Sequence, residues 1–161
     1  MTHCCEHNYI EELKTDHKKI LEKVDELEDA VNVSLIDKNK VKEFLHFTEI
    51  FAEPHHQKEE KVLFPALEKK GMPKEGGPIG VMLFDHETKR GHIRELQKAL
   101  DENKENEIKE QSLAIISLLR EHINKEEGIL YPCAEDILTE DELKNLGPQC
   151  QKIKESYEIR S

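Results

Sequence analysis

Apolar residues recur at helical spacing in four long stretches of the chain. Ile10, Leu13, Ile20, Leu21, Val24, Leu27 and Val31 mark the first, and Val41, Phe44, Leu45, Ala52, Val62, Leu63 and Ala66 the second. Ile79, Met82, Leu83, Ile93, Leu96 and Leu100 mark the third, and Ile108, Ile115, Leu119 and Ile129 the fourth. One apolar stripe per stretch predicts amphipathic helices, each burying a single face. The polar run 32–39, the segment Gly71-Met72-Pro73-Lys74-Glu75-Gly76-Gly77-Pro78 and Asp101-Glu102-Asn103 separate them as turns. Four such helices with short connections predict an all-α, up-down-up-down four-helix bundle over residues 9–138. Within 139–161, Thr139 to Glu142 reads as a capping box that opens a short extra C-terminal helix. Gly147-Pro148 is expected to interrupt it, with Ile153 and Tyr157 packing on the bundle and a frayed tail beyond. Pro54 and Pro65 bracket His55 to Phe64 and predict bends on both sides of that segment.

Six polar residues stand where the apolar stripes demand hydrophobes. They are His17, His55, Glu59, His86, His122 and Glu126. His55/Glu59 and His122/Glu126 are each four apart, so on a helix both members lie on one face with Cβ atoms about 5–6 Å apart. The two phrases repeat in register, His55 to Pro65 answering His122 to Pro132, with Leu-Phe-Pro matched by Leu-Tyr-Pro. Asp16-His17 and Asp85-His86 repeat as well, so each half of the chain is a helix with one His followed by a helix with His-x-x-x-Glu. One buried His is ordinarily a hydrogen-bonded core residue, and one His-x-x-x-Glu an exposed surface pair. Six at one level of one bundle need a common cause, because unpaired buried polar groups are costly. A metal cluster uses every imidazole and neutralises both carboxylates. The nitrogen and oxygen donors suit iron, manganese or zinc.

Composition narrows the partners. The 161 residues carry 24 basic and 35 acidic side chains, a net charge of −11. No basic patch suggests a nucleic-acid partner. No apolar run approaches the roughly 20 residues that span a bilayer, and Met1 to Tyr9 lacks a cationic-then-apolar leader. A cytoplasmic address is the expectation. Cys4, Cys5, Cys133 and Cys150 form no Cys-x-x-Cys spacing and no disulfide framework. His3-Cys4-Cys5-Glu6-His7 reads as a flexible terminus over residues 1–8, with reduced thiols or a transient metal or redox role.

The combination of Asp16-His17, His55-His56-x-x-Glu59-Glu60-x-x-Leu63-Phe64-Pro65, Gly76-Gly77-Pro78-Ile79-Gly80, Asp85-His86 and His122-x-x-x-Glu126-Glu127-x-x-Leu130-Tyr131-Pro132 resembles the hemerythrin-like, or HHE cation-binding, family. The resemblance covers His17 to Pro132. It implies two non-haem iron ions held by five His and two bridging carboxylates, with a bridging oxo or hydroxo group, able to interact with dioxygen. Zinc or manganese remains open as the metal. Respiratory hemerythrins carry two His four apart on the third helix, whereas here His86 is followed by Arg90. His56, about 100° around its helix from His55, is expected to supply the fifth imidazole, and its counterpart in the second half is Ile123. An unequal His count leaves one metal with an open position for a small ligand.

Around these seven, Glu60 and Glu127 are expected to orient His N–H groups rather than bind metal. Arg90 is expected to pair with a carboxylate at the bundle end. Phe64 and Tyr131 are expected to cover the site, with Tyr131 able to donate a hydrogen bond. Leu13, Leu21, Ala52, Leu63, Leu83, Leu119 and Ile129 are expected to line it. His92 reads as a surface residue and His46 as structural. The first functional reading is a di-iron protein that binds dioxygen, peroxide or a related diatomic for sensing, storage or scavenging. The alternatives are a di-iron oxidase, peroxidase or nitric-oxide reductase, and an iron store or iron sensor.

Overall fold

A computed structural model describes residues 9–158, and every regular element among them is helical. Helix α1 is Tyr9–Val31. Helix α2 is one continuous run made of Lys38–Phe47, Thr48–Ala52, Glu53–Lys58, Glu59–Leu63 and Phe64–Lys69. Helix α3 is Pro78–Asp101. Helix α4 joins Glu105–Lys125, Glu126–Leu130 and Tyr131–Ile137, and α5 is Glu140–Glu158. Helix α1 packs on α2 and α4, and α3 packs on α4 and α2, so the four form a closed bundle. Helix α5 lies against α1 and the Glu53–Leu63 part of α2. The Cys4/Cys5 terminus and the last residues of the tail lie outside the described residues.

Prolines shape α2 and α4 in a way the sequence reading left out. Pro54, Pro65 and Pro132 do not end their helices. Each follows a π turn: Thr48–Ala52, Glu59–Leu63 and Glu126–Leu130. The Phe64 N–H reaches back to Glu59 O, and the Tyr131 N–H to Glu126 O, both five residues earlier. Proline has no N–H to offer and its ring presses on the carbonyl four residues back. A locally wider turn accommodates both defects. The π turns also slip the helical phase by one residue. Beyond Glu126, Leu130 is therefore buried, and Ile129, expected to line the site, is 54% exposed.

Helix α5 corrects a second expectation. It runs through Gly147 and Pro148 to Glu158 without a break. Pro148 and Lys144, whose carbonyl loses its partner, both face solvent, where water can replace the missing bond. Leu143, Leu146 and Cys150, at helical spacing, hold the inner face on the bundle. The capping box is present: Thr139 N–H donates to Glu142 Oε1 at 2.9 Å, and Glu142 N–H to Thr139 Oγ1 at 3.1 Å. The loop before α3 turns through Gly71 at φ +103° and Gly76 at φ +74°. Gly80 is needed for a different reason, since a Cβ there would lie 2.8 Å from the Lys74 carbonyl oxygen.

The core has two apolar layers. One gathers Ile20 to Val31, Val41 to Ala52, Leu96 to Leu100 and Ile108 to Ile123. The other gathers Tyr9 to Leu13, Val62 to Leu67, Ile79, Met82, Leu130 to Leu138 and the inner face of α5. Between them, in sequence on every bundle helix, fall His17, His55 to Glu59, His86 and His122 to Glu126. Hydrocarbon above and below excludes water from this polar layer, which raises the cost of any uncompensated charge within it.

Candidate metal centre

All seven sequence-predicted donors are buried and brought together. His17, His55, His56, Glu59, His86, His122 and Glu126 are each at most 2% exposed. They form two groups, each with donor atoms within 4.8 Å of one another: His56, Glu59, His86 and His122 in one, His17, His55, Glu59 and Glu126 in the other. Glu59 belongs to both. Its Oε1 lies 3.3 Å from His86 Nε2 and 3.7 Å from His55 Nε2. Glu126 Oε1 also reaches across, 2.9 Å from His17 Nε2 and 3.2 Å from His122 Nε2. His-x-x-x-Glu thus acts as the sequence suggests: the α-helical turn from residue 55 to 59, or 122 to 126, stacks imidazole over carboxylate.

A second layer orients the imidazoles, and here the repeat is almost complete. Asp16 accepts from His55 Nδ1 at 3.0 Å, and Asp85 from His122 Nδ1 at 3.0 Å. Glu60 accepts from His86 Nδ1 at 2.7 Å, and Glu127 from His17 Nδ1 at 2.8 Å. A carboxylate only accepts, so these four rings carry a proton on Nδ1 and turn Nε2 toward the centre. Glu60 and Glu127 do what the sequence reading expected of them. The sequence signal for Asp16 and Asp85 is an Asp directly before each stripe His, in both halves. Lys58 backs Asp16 at 3.2 Å and Lys125 backs Asp85 at 2.7 Å. Arg90 holds Glu53 at 2.8 Å and Glu60 at 2.7 Å. It therefore braces the second layer of the site itself, not the bundle end.

His56 is the exception. Its Nδ1 lies 3.1 Å from the Nζ of buried Lys89, a residue the sequence reading passed over. Burial draws the Lys89 ammonium down to about 8. Burial and that neighbouring cation hold His56 well below the usual histidine range, so it stays neutral. His17, His86 and His122 behave oppositely in the metal-free chain. Burial opposes their protonation, but the Glu126 charge and the Asp85 hydrogen bond lift His122 to about 10. Contacts with Glu126 and Glu59 raise His17, and Glu59 and Glu60 raise His86. Burial and the neighbouring charge of Glu126 raise Glu59.

Tyr131 completes the inner surface. Glu126 and Tyr131 are five apart across a π turn and so return to one face. The Tyr131 hydroxyl donates to Glu59 Oε2 at 2.6 Å and lies 3.2 Å from His17 Nε2. Phe64, its counterpart in the repeat, stacks near His86 with ring centroids 6.1 Å apart. His92 is half-buried and pairs with Gln111 at 2.7 Å, so it joins α3 to α4 instead of facing only solvent. His46 is exposed and takes no part in the core.

Comparison with protein-family models matches the hemerythrin HHE cation-binding domain over residues 8–134. The chain belongs to this family. No curated protein and no solved structure matches it. The family implies bound cations, and the residues fit them. Among the described residues, His55 Nε2, Glu59 Oε1 and Glu126 Oε2 are buried without a hydrogen-bond partner. All three belong to the residues of the two donor groups, and a cation would satisfy them together. The HHE match ends at residue 134, so α5 lies outside the matched residues.

Proposed function

We propose that this HHE-domain chain holds a pair of iron ions and uses it to bind dioxygen or a related small molecule such as peroxide, for sensing, storage or scavenging. His56, His86, His122 and Glu59 would hold one ion; His17, His55, Glu59 and Glu126 the other. The observation that carries the reading is the division of five imidazoles three to two around a shared carboxylate. Glu126 Oε1 lies between His17 and His122 and would serve both ions, so the ion with two imidazoles would have four protein donors against five, and with them a position for a small ligand. Bound iron would supply the electrons that reversible binding of an oxidant needs. The side chains supply the rest. Glu59 and Glu126, buried between the imidazoles, would be the carboxylates common to both ions. Asp16, Glu60, Asp85 and Glu127 fix the ring orientations. Tyr131 presents a hydroxyl beside Glu59 and His17, on the side with two imidazoles, where it can donate to a bound ligand. The two apolar layers keep water from competing. The short connections support an up-down-up-down winding of the bundle, and no helix among the described residues is long and apolar enough to cross a membrane.

The test is elemental analysis of protein loaded with ferrous iron without oxygen, followed by absorption spectra before and after air. The expected result is two irons per chain and a visible band that grows with air and fades on removal of the gas. One iron per chain, or zinc alone with no air-dependent band, would overturn the reading.

A further inference from the structure

The hydrogen-bond partners behind the five imidazoles divide four to one. Nδ1 of His17, His55, His86 and His122 meets a carboxylate, from Glu127, Asp16, Glu60 and Asp85 in turn. Nδ1 of His56 meets the Nζ of Lys89 at 3.1 Å. A ring that gives Nε2 to a cation keeps its proton on Nδ1 and needs an acceptor there. A lysine ammonium offers three donors and no acceptor. It also sets a positive charge behind the ring, where the other four have a negative one. Lys89 is 2% exposed, so little water screens that charge. Glu53 lies 3.5 Å from Nζ, but Arg90 holds the same side chain at 2.8 Å. Lys89 belongs to the surface as well. A cleft of about 440 Å³ between α2 and α3 is lined by Leu45, Thr48, Glu53, Lys89, Ile93 and Arg94 among others. One flexible four-carbon stem thus joins this cleft to a donor of the centre.

We propose that Lys89 makes the group of His56, His86 and His122 the exchangeable seat, whose cation binds more weakly than the other and leaves first, by way of the cleft between α2 and α3. The proposal rests on the reading of two bound ions above. It runs against the count of donors, since with Glu126 shared this group offers five and the other four. Donor quality decides instead. A cation on His56 has an ammonium across the ring from it, and the hydrogen bond that supports the other four rings is replaced by two facing donors. The path follows from the same side chain. Swinging the Lys89 stem aside uncovers His56 from the cleft and leaves both apolar layers packed. The two seats then do different work. The group of His17, His55, Glu59 and Glu126 keeps its ion and holds the bundle together. The occupancy of the His56 group follows the supply of ferrous iron.

The full-length chain is loaded with ferrous iron without oxygen and titrated with a competing chelator, and bound iron is read by elemental analysis. Wild type should release its iron in two separate steps. His56→Ile should lose the weaker step and keep the tighter one. Lys89→Gln removes the charge and supplies an amide oxygen as acceptor, so it should tighten the weaker step about 10-fold and leave the tighter step in place. A lysine that merely props up the fold would give the opposite sign, both steps weakening together. If Lys89→Gln lowers the melting temperature of the metal-free protein, Lys89→Met is read in its place, and tightening of the weaker step is again the expected result. Release of both ions in a single step, loss of the tighter step in His56→Ile, or a weaker step that fails to tighten in the Lys89 variant would overturn the inference and leave the two-ion reading intact. Wild type that binds one iron or none would overturn that reading and the inference with it.

Discussion

The two halves of the molecule are built on one plan and differ where the chemistry would differ. In each half an Asp-His helix is followed by a helix with His-x-x-x-Glu-Glu. In each, the Asp holds the His of the partner helix, and the second Glu reaches over to hold the first His of the other half. The shared plan makes two groups of donors able to hold a metal, two candidate seats. The departures make them unequal. His56, with Lys89 behind it, comes from the first half and joins the His pair of the second. Tyr131 comes from the second half and leans on a His of the first. Each half thus lends its odd residue to the other's imidazoles, one seat gaining a donor and the other a hydroxyl.

Restoring the symmetry is the strongest way to break this picture. His56→Ile copies Ile123 and should cost the three-imidazole seat its metal while the other keeps its own, read as bound metal falling from two to about one. Unchanged stoichiometry would remove His56 from the ligand set. Smaller effects are expected from the second layer. Asp16→Asn and Asp85→Asn should each weaken metal binding about 10–100-fold, to similar extents if the halves are equivalent, as a competitive chelator titration would show. A Glu60→Gln effect well above the Glu127→Gln effect would show how much Arg90, which braces only Glu60, adds to one side.

Acidity gives the mildest contrast. In the metal-free protein His17 and His86 are raised and His122 reaches about 10. A histidine whose folded value lies above its unfolded one, about 6.5, stabilises fully below that value and loses the effect as pH climbs through the folded value. Metal-free melting temperature should therefore fall between about pH 6.5 and 10. Metal-loaded protein should show the reverse slope, weakening toward acid as protons displace the cations. Parallel slopes with and without metal would mean that these imidazoles do not carry the binding.

Most of the buried His and Glu cluster is readable in the sequence because the helical period and the four-residue spacing fix which side chains share a face. The repeat then located His17, His55, His86, His122 and both carboxylates without coordinates. What escaped depends on contacts between helices. Lys89 sits three residues past His86 with nothing to tie it to His56, thirty-three positions earlier. Asp16 and Asp85 were visible only as a repeated neighbour. Ile129 was misplaced because a π turn resets the phase, and period counting assumes a uniform winding. Pro148 was read as a break because a proline on a solvent-facing carbonyl looks, in one dimension, like any other.

The exposed Gly-rich segment from Gly71 to Gly77 is the covalent bridge between the halves. Severed there, the molecule would become a pair of helical hairpins, neither with a whole metal seat, since Glu59 sits on one piece and Glu126 on the other. Cation uptake would then require the pieces to find each other, so that iron itself would act as the glue of a two-part assembly.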